Sequence, residues 1–179
     1  LFSGGLDSLL AVRLLLDQGV DVQAVHFYSV FNTKGVRHTE EPGVRASAEE
    51  VGVPLLVEDN SEEFLALVKN PKHGYGKNMN PCIDCRIRNV NRSAEIMREI
   101  GADFLVTGEV VGERPMSQNR NTLRQIEKET NLRGMILRPL SAKVMDPTIP
   151  EEKGLVDRER LLGIAGRSRK PQLTLAREY

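Results

Sequence analysis

The chain has 179 residues, which is enough for one domain with a substantial core. Its composition is 40% hydrophobic and 28% charged, which excludes a disordered chain, and no apolar run approaches the ~18 residues of a membrane-spanning helix. Lys and Arg together number 25, as do Asp and Glu, so the net charge is zero; this excludes a uniformly basic surface for nucleic acid, although not a local basic patch.

Helices and short apolar strands alternate along the sequence. The first helix is predicted over 6–19, because its leucines and valines surround the axis and Gly19 suits a helix C-terminus. The last is predicted over 158–164, with Asp157 as its N-cap. Further helices are predicted over 46–51, 59–68, 84–100 and 122–130, and strands over 20–28, 54–57, 104–106 and 135–137. This alternation indicates a parallel sheet with helices on both faces.

Both ends of the sequence carry less regular pattern. The chain opens on two apolar residues without a starting methionine, and a central strand needs more, so we expect part of the first strand to lie outside this sequence. At the other end, residues 166–179 are basic at Arg167, Arg169 and Lys170 and show no clear period. We therefore predict a solvated linker there.

The first motif of chemical interest is SGGLDS at residues 3–8, between a strand end and a helix start. Its two glycines allow a tight turn that brings backbone N–H groups close to an anion, and the helix N-terminus adds a positive end. Ser3 and Ser8 offer hydroxyl donors, and Asp7 is placed to hold a magnesium ion on bound phosphates. The spacing matches neither GxxxxGK nor GxGxxG. An ordinary glycine-rich turn is the alternative, and the full motif favours phosphate binding over it.

The second motif is NPCIDCR at residues 80–86, where a loop rich in Gly, Pro and Asn meets a long helix. A helix N-terminus and the nearby Arg86 stabilise a thiolate, so we expect Cys82 and Cys85 to have lowered pKa values. A CxxC pair serves as a redox couple, as half of a zinc site or as part of an iron–sulfur site. Zinc needs four ligands and His73 is the one nearby imidazole, so the sequence favours a reactive pair over zinc and over two packing cysteines.

The third motif, Thr107-Gly108-Glu109, follows a strand and precedes Gln118. In open α/β sheets, ligands bind beyond the carboxyl ends of the strands, and a glycine there lets a planar base approach the backbone. Taken alone, this motif is better explained by a turn glycine than by a ligand site. The motif gains weight because all three motifs fall on the same predicted edge of the sheet.

The sequence resembles the PP-loop domain of the N-type ATP pyrophosphatases over about residues 1–143. It is most similar to the tRNA 4-thiouridine synthetases, with the tRNA 2-thiouridylases as close relatives. The segments that carry the resemblance are, in order, SGGLDS, Val25-His26-Phe27, CIDCR, TGEVVGERPMSQ and Leu137-Arg138-Pro139-Leu140. The resemblance implies a Rossmann-like fold of the adenine nucleotide alpha hydrolase type, with a parallel five-stranded sheet. We expect the PP-loop domain to cover 1–145 and a C-terminal extension, a short helix and the basic tail, to cover 146–179.

The resemblance also assigns roles to individual residues. In this family ATP adenylates a uridine oxygen, pyrophosphate leaves, and a persulfide sulfur then displaces AMP. Cys85 matches the cysteine that takes part in sulfur delivery, and Cys82 and Asp7 complete the implied catalytic set, with Asp7 also binding magnesium. The residues implied to bind ATP are Leu1, Phe2, Ser3, Gly4, Gly5, Asp7, Ser8, His26, Phe27, Arg86, Gly108 and Gln118.

Departures from the family concern the sulfur step. The sequence holds two cysteines, whereas some relatives use CxxC with a third, distant cysteine to hold an iron–sulfur cluster. A rhodanese-like segment and the N-terminal RNA-binding domain of the synthetases are also missing from this sequence. Sulfur would then come from a partner protein, from free sulfide or from residues outside the sequence.

The leading hypothesis is an ATP-dependent enzyme that adenylates a tRNA uridine for sulfur insertion. Its expected cofactors are ATP and magnesium, and an iron–sulfur cluster on Cys82 and Cys85 is a further interpretation. A PP-loop amidotransferase or ligase that uses ammonia is a second hypothesis, and an ATP-binding module without turnover is a third. Expected partners are tRNA, a sulfur donor protein or sulfide, and a second copy of the chain, with no membrane partner and a cytoplasmic location.

Four arginines, at positions 86, 88, 92 and 98, follow the cysteines on one predicted helix. Helical spacing puts Arg88 and Arg92 on one face, with Glu95 and Glu99 within pairing distance. A salt-bridged solvent face is at least as good an interpretation as an RNA-binding track. At zero net charge, tRNA binding would need help from the basic tail or from a further domain.

Overall fold

The structure is a computed structural model that describes residues 1–29, 42–76 and 79–179. Its elements in chain order are α1 (Leu6–Leu16), β1 (Ala24–Tyr28), α2 (Pro42–Val51), β2 (Leu55–Asp59), α3 (Ser61–Lys69), α4 (Cys82–Glu99), β3 (Leu105–Val106), α5 (Arg120–Glu129), β4 (Ile136–Leu137), α6 (Ile149–Glu152) and α7 (Lys170–Leu175). Short 3-10 helices lie at Ala142–Val144 and Arg158–Arg160. Within the described ranges, every helix is too short or too polar to cross a membrane.

The four strands form two parallel pairs, β1 with β2 and β3 with β4. Leu1 and Phe2 lie between the pairs. The backbone N–H of Phe2 donates to the carbonyl oxygen of Val25 (2.8 Å). The amino group of Leu1 donates to the carbonyl oxygen of Val106 (2.7 Å). The predicted α/β class with parallel strands is therefore confirmed, whereas the strands of the described residues do not confirm a five-stranded sheet.

Helices cover both faces of these strands, because neighbouring strand residues point to opposite sides. Leu105 and Ile136 pack in one buried cluster with α4 and α5. The next residue of β4, Leu137, packs with Leu15 of α1 in another cluster. Leu15 and Leu137 are fully buried, so truncating either to Ala would cost about 2–5 kcal/mol of stability. This packing fixes the N-terminus of α1, and the loop before it, at the carboxyl ends of the strands.

Most predicted elements are found with shifted ends. Strand β1 begins at Ala24 rather than at Val20, because the N–H of Val20 still donates to the carbonyl oxygen of Leu15 and so belongs to the end of α1. Gly19 has a φ of +77°, which is the left-handed conformation expected at a helix C-terminus. Helix α4 begins at Cys82, two residues earlier than predicted, so the first cysteine is itself helical.

The helix predicted over 158–164 is wrong beyond its first turn. Asp157 caps only a single 3-10 turn, and the chain is then extended. The N–H groups of Leu162 and Ile164 donate to carbonyl oxygens of the segment 139–140, at 2.9 and 2.8 Å. These bonds to a distant segment replace the hydrogen bonds that a helix would have made within itself.

The tail 166–179 is not a solvated linker. Residues 170–175 form α7, and Leu175 packs against Leu10 of α1. The side chain of Gln172 is fully buried between them and the rest of the chain. Sequence periodicity missed α7 because a helix of six residues is too short to display a period.

Candidate active site

The loop 3–8 is held from outside by helix α2. Gly4 has a φ of +69°, a conformation that side-chain-bearing residues rarely adopt. A Cβ on Gly4 would lie 3.2 Å from the Cα of Val44, and the hydroxyl of Ser47 donates to the Gly4 carbonyl oxygen (3.3 Å). The glycine is therefore required both by the turn and by the close approach of α2.

Inside the loop, the two serine hydroxyls accept backbone N–H groups, Ser8 from Ser3 (3.4 Å) and Ser3 from Gly5 (3.3 Å). The Ser8 hydroxyl donates to the Gly5 carbonyl oxygen (2.7 Å), and the Ser3 and Ser8 hydroxyls lie 3.2 Å apart. The first-turn N–H groups of α1, at residues 6–8, have no acceptor among the described residues. These donors and the positive end of α1 form a site that suits an anion such as a phosphate.

Asp7 carries an unused carboxylate oxygen at this loop. Its Oδ1 is buried and accepts no hydrogen bond from the described residues. Its Oδ2 lies 3.9 Å from Nη2 of Arg169, which is beyond hydrogen-bond distance. Oxygen ligands with free lone pairs suit a magnesium ion that arrives with phosphates. The predicted magnesium role of Asp7 therefore fits the residues present.

Gly108 lies against the first turn of α1. A Cβ on Gly108 would come within 2.7 Å of the Asp7 carbonyl group and of the Ser8 nitrogen. The third motif thus meets the first, as the sequence predicted for this edge of the sheet. The role of Gly108 in closing the nucleotide pocket stays a prediction.

Gln118 shapes the loop that follows Gly108 rather than offering a free side chain. It is buried, and its side-chain oxygen accepts the N–H of Arg114 (3.2 Å). Its carbonyl oxygen accepts the N–H of Gly112 (2.8 Å). A contact of Gln118 with ATP stays a prediction.

The residues predicted to flank adenosine lie at the carboxyl half of β1. His26 Nδ1 is 2.9 Å from the carbonyl oxygen of Phe2, the residue that leads into the phosphate loop. The Phe27 ring lies beneath the guanidinium of Arg88, at 5.7 Å from the ring centroid. The Phe2 side chain is buried in the core with α1 and α2, so it serves packing. Only the backbone of Phe2 could make the predicted contact with ATP.

Cys82 and Cys85 open α4 as half-buried free thiols, one helical turn apart. Burial raises the pKa of the Cys85 thiol, and the opposing charge of Arg86 does not compensate. The expected lowering of this pKa is therefore wrong for Cys85, because desolvation disfavours the thiolate more than the neighbouring charge stabilises it.

Arg86 is paired with a buried carboxylate. Its Nε lies 3.1 Å from Oε1 of Glu109, close enough for an ion pair but without hydrogen-bond geometry, and Nε of Arg138 lies 3.1 Å from Oε2. Burial acts to raise the pKa of Glu109, but the charges of Arg86 and Arg138 outweigh it and hold the pKa below its usual value. This pair joins the start of α4 to the residue after Gly108. The predicted phosphate contact of Arg86 stays a prediction.

Sequence reasoning missed how the loop before the cysteines is attached. His73 Nδ1 lies 2.8 Å from Oδ1 of Asp84, and His73 Nε2 lies 2.8 Å from Oε1 of Glu129. The backbone N–H of His73 also donates to Asp84 (3.0 Å). The hydrogen bond to Asp84 and that to Glu129 raise the pKa of His73 against the effect of burial. One signal in the sequence could have indicated this attachment: Asp84 lies between the two cysteines and follows a loop that contains His73.

The residues present do not fit a zinc or iron–sulfur site. A structural zinc site takes four ligands and an iron–sulfur cluster takes more than two, whereas this sequence supplies two cysteines. Across residues 1–29, 42–76 and 79–179, no three His, Cys, Asp or Glu side chains come together as metal ligands. His73, the one nearby imidazole, is bound to carboxylates instead.

Arg88 and Arg92 of α4 form the salt-bridged face that the helical spacing allowed. Arg92 Nε lies 2.9 Å from Glu58, and its Nη1 lies 3.0 and 3.1 Å from Glu95 and Glu99. Arg88 pairs with a glutamate of α3 at 2.9 Å. The charges of Arg88 and Arg92 are therefore compensated, which favours the salt-bridged interpretation of this face.

A cavity of about 770 Å³ runs along the amino ends of the strands, lined by residues 20–25, 52–54 and 100–106. Its lining is largely apolar; it includes Leu1 and Phe2 before the loop 3–8, Ser8 of the loop itself, and Gly108. Ligands of open α/β sheets bind at the carboxyl ends. The loop 3–8, rather than this cavity, is the candidate nucleotide site.

The loop 3–8 contains two glycines and lies at the carboxyl edge of parallel strands, with free N–H donors in the first turn of α1 and an unused carboxylate. These features are typical of a nucleotide-binding α/β domain. The chain belongs to the family described as tRNA methyl transferase HUP domain, a PP-loop family, whose model matches residues 1–151.

Several relatives carry the name tRNA-specific 2-thiouridylase MnmA. The protein of Syntrophotalea carbinolica is 38% identical over 116 residues, covering 59% of this chain and 32% of the relative. That of Cutibacterium acnes is 31% identical over 119 residues, covering 59% and 32%. That of Bartonella quintana is 28% identical over 141 residues, covering 71% and 34%. The chain thus spans about a third of the length of these relatives. The resemblance to tRNA thiolation enzymes is confirmed, with the 2-thiouridylases as the named relatives.

Proposed function

We propose that this chain is the ATP-dependent adenylating domain of a tRNA-thiolating enzyme. The observation that carries the proposal is the set of unpartnered groups at the loop 3–8: free N–H donors in the first turn of α1 and the buried Oδ1 of Asp7. The family of the chain, and relatives whose name states 2-thiouridylase activity on tRNA, support this substrate class.

In the proposed first step, a carbonyl oxygen of uridine forms a bond to the α-phosphorus of ATP. The bond between that phosphorus and the bridging oxygen breaks, pyrophosphate leaves with the electron pair, and the ring N–H proton of uridine is released to solvent. The loop N–H groups and the positive end of α1 stabilise charge on the phosphates. Asp7 would hold the magnesium ion, which supplies further charge neutralisation when it is bound.

In the proposed second step, a persulfide on Cys85 provides the sulfur. Its terminal sulfur bonds to the activated carbon and AMP leaves with the carbon–oxygen bonding pair. The thiolate of Cys82 then attacks the inner sulfur, which frees the thiocarbonyl and leaves a Cys82–Cys85 disulfide that an external thiol reduces. A persulfide is more acidic than its parent thiol, so the raised pKa of Cys85 does not prevent this step.

Further parts of the proposal concern the sheet, the cysteine pair and the partners of the chain. Leu1 and Phe2 act as a fifth, middle strand, which their hydrogen bonds to Val25 and Val106 support. Cys82 and Cys85 act as a sulfur-transfer pair rather than in an iron–sulfur cluster, which lacks ligands here. A sulfur donor protein or sulfide as partner, a homodimer, a cytoplasmic location and the boundary at 145 stay predictions.

The proposal is tested with the full chain, ATP, magnesium and unmodified tRNA, with and without a persulfide donor. Pyrophosphate release and the thiolated nucleosides of digested tRNA are measured for the wild type, Cys85→Ser and Cys82→Ser. We expect Cys85→Ser to retain tRNA-dependent pyrophosphate release and to lose the thiolated nucleoside. We expect Cys82→Ser to allow the first transfer and to block further turnover, because the thiocarbonyl is not freed.

Three results would contradict the proposal. Failure of the wild type to release pyrophosphate with any tRNA would favour a binding module without turnover. Incorporation of ammonia in place of sulfur would favour a PP-loop ligase. Thiolated product from a variant without both cysteines, at the wild-type rate and with the persulfide donor, would show that the pair is not part of the sulfur step.

A further inference from the structure

The segment that follows the family match returns to the phosphate loop. The match ends at residue 151, but Ala165 pairs in parallel with Val111, and the N–H of Gly166 donates to the Val111 carbonyl oxygen (2.7 Å). Val111 lies three residues after Gly108, which contacts the loop itself. Residues 165–169 are thereby placed at the edge of the candidate nucleotide site.

The backbone beyond this pairing is fixed on the helix that carries the loop. Leu175 of α7 packs with Leu10 of α1, and Gln172 is fully buried. At the end of the chain, the hydroxyl of Tyr179 donates to the carboxylate of Asp17 just after α1 (2.8 Å). Arg169, which lies between the strand-like pairing and α7, is therefore anchored on both sides.

The guanidinium of Arg169 lies close to the loop 3–8 but makes no hydrogen bond to the two carboxylates beside it. Nη2 is 3.9 Å from Oδ2 of Asp7, and Nε is 4.0 Å from Oε1 of Glu113, so both carboxylates attract it and neither is hydrogen-bonded to it. The side chain is 51% exposed. Burial and the charge of Asp7 raise the pKa of Glu113, which indicates that Arg169 compensates the two carboxylates only in part.

This arrangement suits a residue that changes partners when an anion arrives. A guanidinium binds phosphate oxygens in a bidentate manner, and such charge-assisted hydrogen bonds are stronger than the long ion pairs seen here. Asp7 would also hold a magnesium ion with its carboxylate when ATP binds, which would weaken the attraction between Asp7 and Arg169. The guanidinium is then free to contact the phosphates that lie on the loop.

We propose that Arg169 binds the β- and γ-phosphates of ATP at the loop 3–8 and stays with pyrophosphate as it leaves. This inference rests on the proposed function, because it requires ATP at that loop. It assigns part of the tail to the nucleotide rather than to tRNA. Arg167, two residues earlier, is exposed and has no ion pair among the described residues, which makes it a matched control.

The test compares binding of the α,β-methylene analogue of ATP with binding of AMP, both with magnesium, to wild type, Arg169→Ala, Arg169→Lys and Arg167→Ala. We expect Arg169→Ala to weaken the ATP analogue about tenfold, the effect of about 1.4 kcal/mol in binding, and to leave AMP unchanged. Competition by pyrophosphate should weaken in parallel. Arg169→Lys should recover part of the loss, and Arg167→Ala should match the wild type.

The outcomes separate this inference from the proposed function. If the wild type binds neither nucleotide, the proposed function fails and the inference fails with it. If the wild type binds the ATP analogue and Arg169→Ala binds it equally well, the inference alone is wrong. Equal losses for the analogue and AMP would indicate a structural role, and a loss confined to tRNA affinity would assign Arg169 to RNA; both overturn the inference.

Discussion

Gly108 lies directly against the backbone of Asp7, where an added Cβ would come 2.7 Å from both the carbonyl carbon and the carbonyl oxygen. This contact joins the end of β3 to the first turn of α1. The residue after Gly108, Glu109, lies 3.1 Å from Arg86 beside the second cysteine. The phosphate loop and the cysteine helix are thus connected through one short segment at the carboxyl edge of the strands.

Gly108→Ala tests the importance of this contact. The new Cβ would force β3 and α1 apart, because the atoms that it meets are backbone and cannot turn away. We expect a loss of about 1–3 kcal/mol in the free energy of unfolding, measured in urea, and weaker ATP binding. Gly43→Ala is the matched control, since a Cβ at Gly43 meets no atom of the described residues within 4 Å. An unfolding midpoint for Gly108→Ala equal to that of the control would show that the close contact is absent.

Asp7→Asn tests the unused carboxylate oxygen. The substitution keeps the shape of the side chain and removes its charge, and Oδ1 accepts no hydrogen bond from the described residues, so the free energy of unfolding should hardly change. Pyrophosphate release should fall by about 100-fold or more, because a charge that acts on the reacting phosphates is lost. Asp21→Asn, at an exposed position, should behave as the wild type. Pyrophosphate release at the wild-type rate by Asp7→Asn would remove Asp7 from the catalytic set.

What the sequence could predict was local. The loop 3–8, the turn at Gly19 that follows α1 and the helical start near Cys82 all depend on residues a few positions apart, whose turn and capping preferences are strong. The extended segment after Asp157 was predicted as a helix, because the apolar pattern does not reveal the hydrogen bonds that it makes with residues 139–140. Partners that lie far along the chain decide such segments.

In the candidate site, too, some features could be predicted from the sequence and others depend on partners that lie far along the chain. The three motifs meet at one edge because a parallel sheet places all carboxyl ends there. The contact between His73 and Glu129 could not be predicted from the sequence, since Glu129 lies 56 residues further along the chain. The pKa of Cys85 was predicted in the wrong direction, because the helix N-terminus and Arg86 are visible in the sequence and burial is not.

The raised pKa of Cys85 predicts how its alkylation depends on pH. The thiolate is the reacting form, and burial keeps the thiol protonated at a pH where an exposed cysteine has begun to ionise. The rate of modification by iodoacetamide, followed by mass spectrometry of the Cys85 peptide, should therefore still be rising at pH 9. Arg86→Gln should slow it further, because the charge of Arg86 lowers the pKa. A rate that is already constant below pH 8 would contradict the burial of this thiol.

The last prediction concerns His73, which lies between Asp84 and Glu129 and has a 13% exposed side chain. Its pKa is raised from 6.5, chiefly by the hydrogen bond to Asp84. A raised pKa in the folded state contributes stability that is complete below 6.5 and is lost as the pH rises through the folded value. The pKa of Glu129 is lowered from 4.5 to about 2, first by the hydrogen bond from Lys72, so its contribution is complete above 4.5 and is lost towards pH 2.

The attachment of the loop 70–76 to α4 and α5 should therefore be strongest between pH 4.5 and 6.5. The free energy of unfolding, measured in urea at a series of pH values, should differ most between wild type and His73→Gln in this window. The difference should shrink as the pH rises and His73 loses its proton. Asp84→Asn should reduce the same pH dependence, because it removes the largest cause of the shift. An NMR titration that places the pKa of His73 at or below 6.5 would refute this account, since both carboxylates favour the imidazolium.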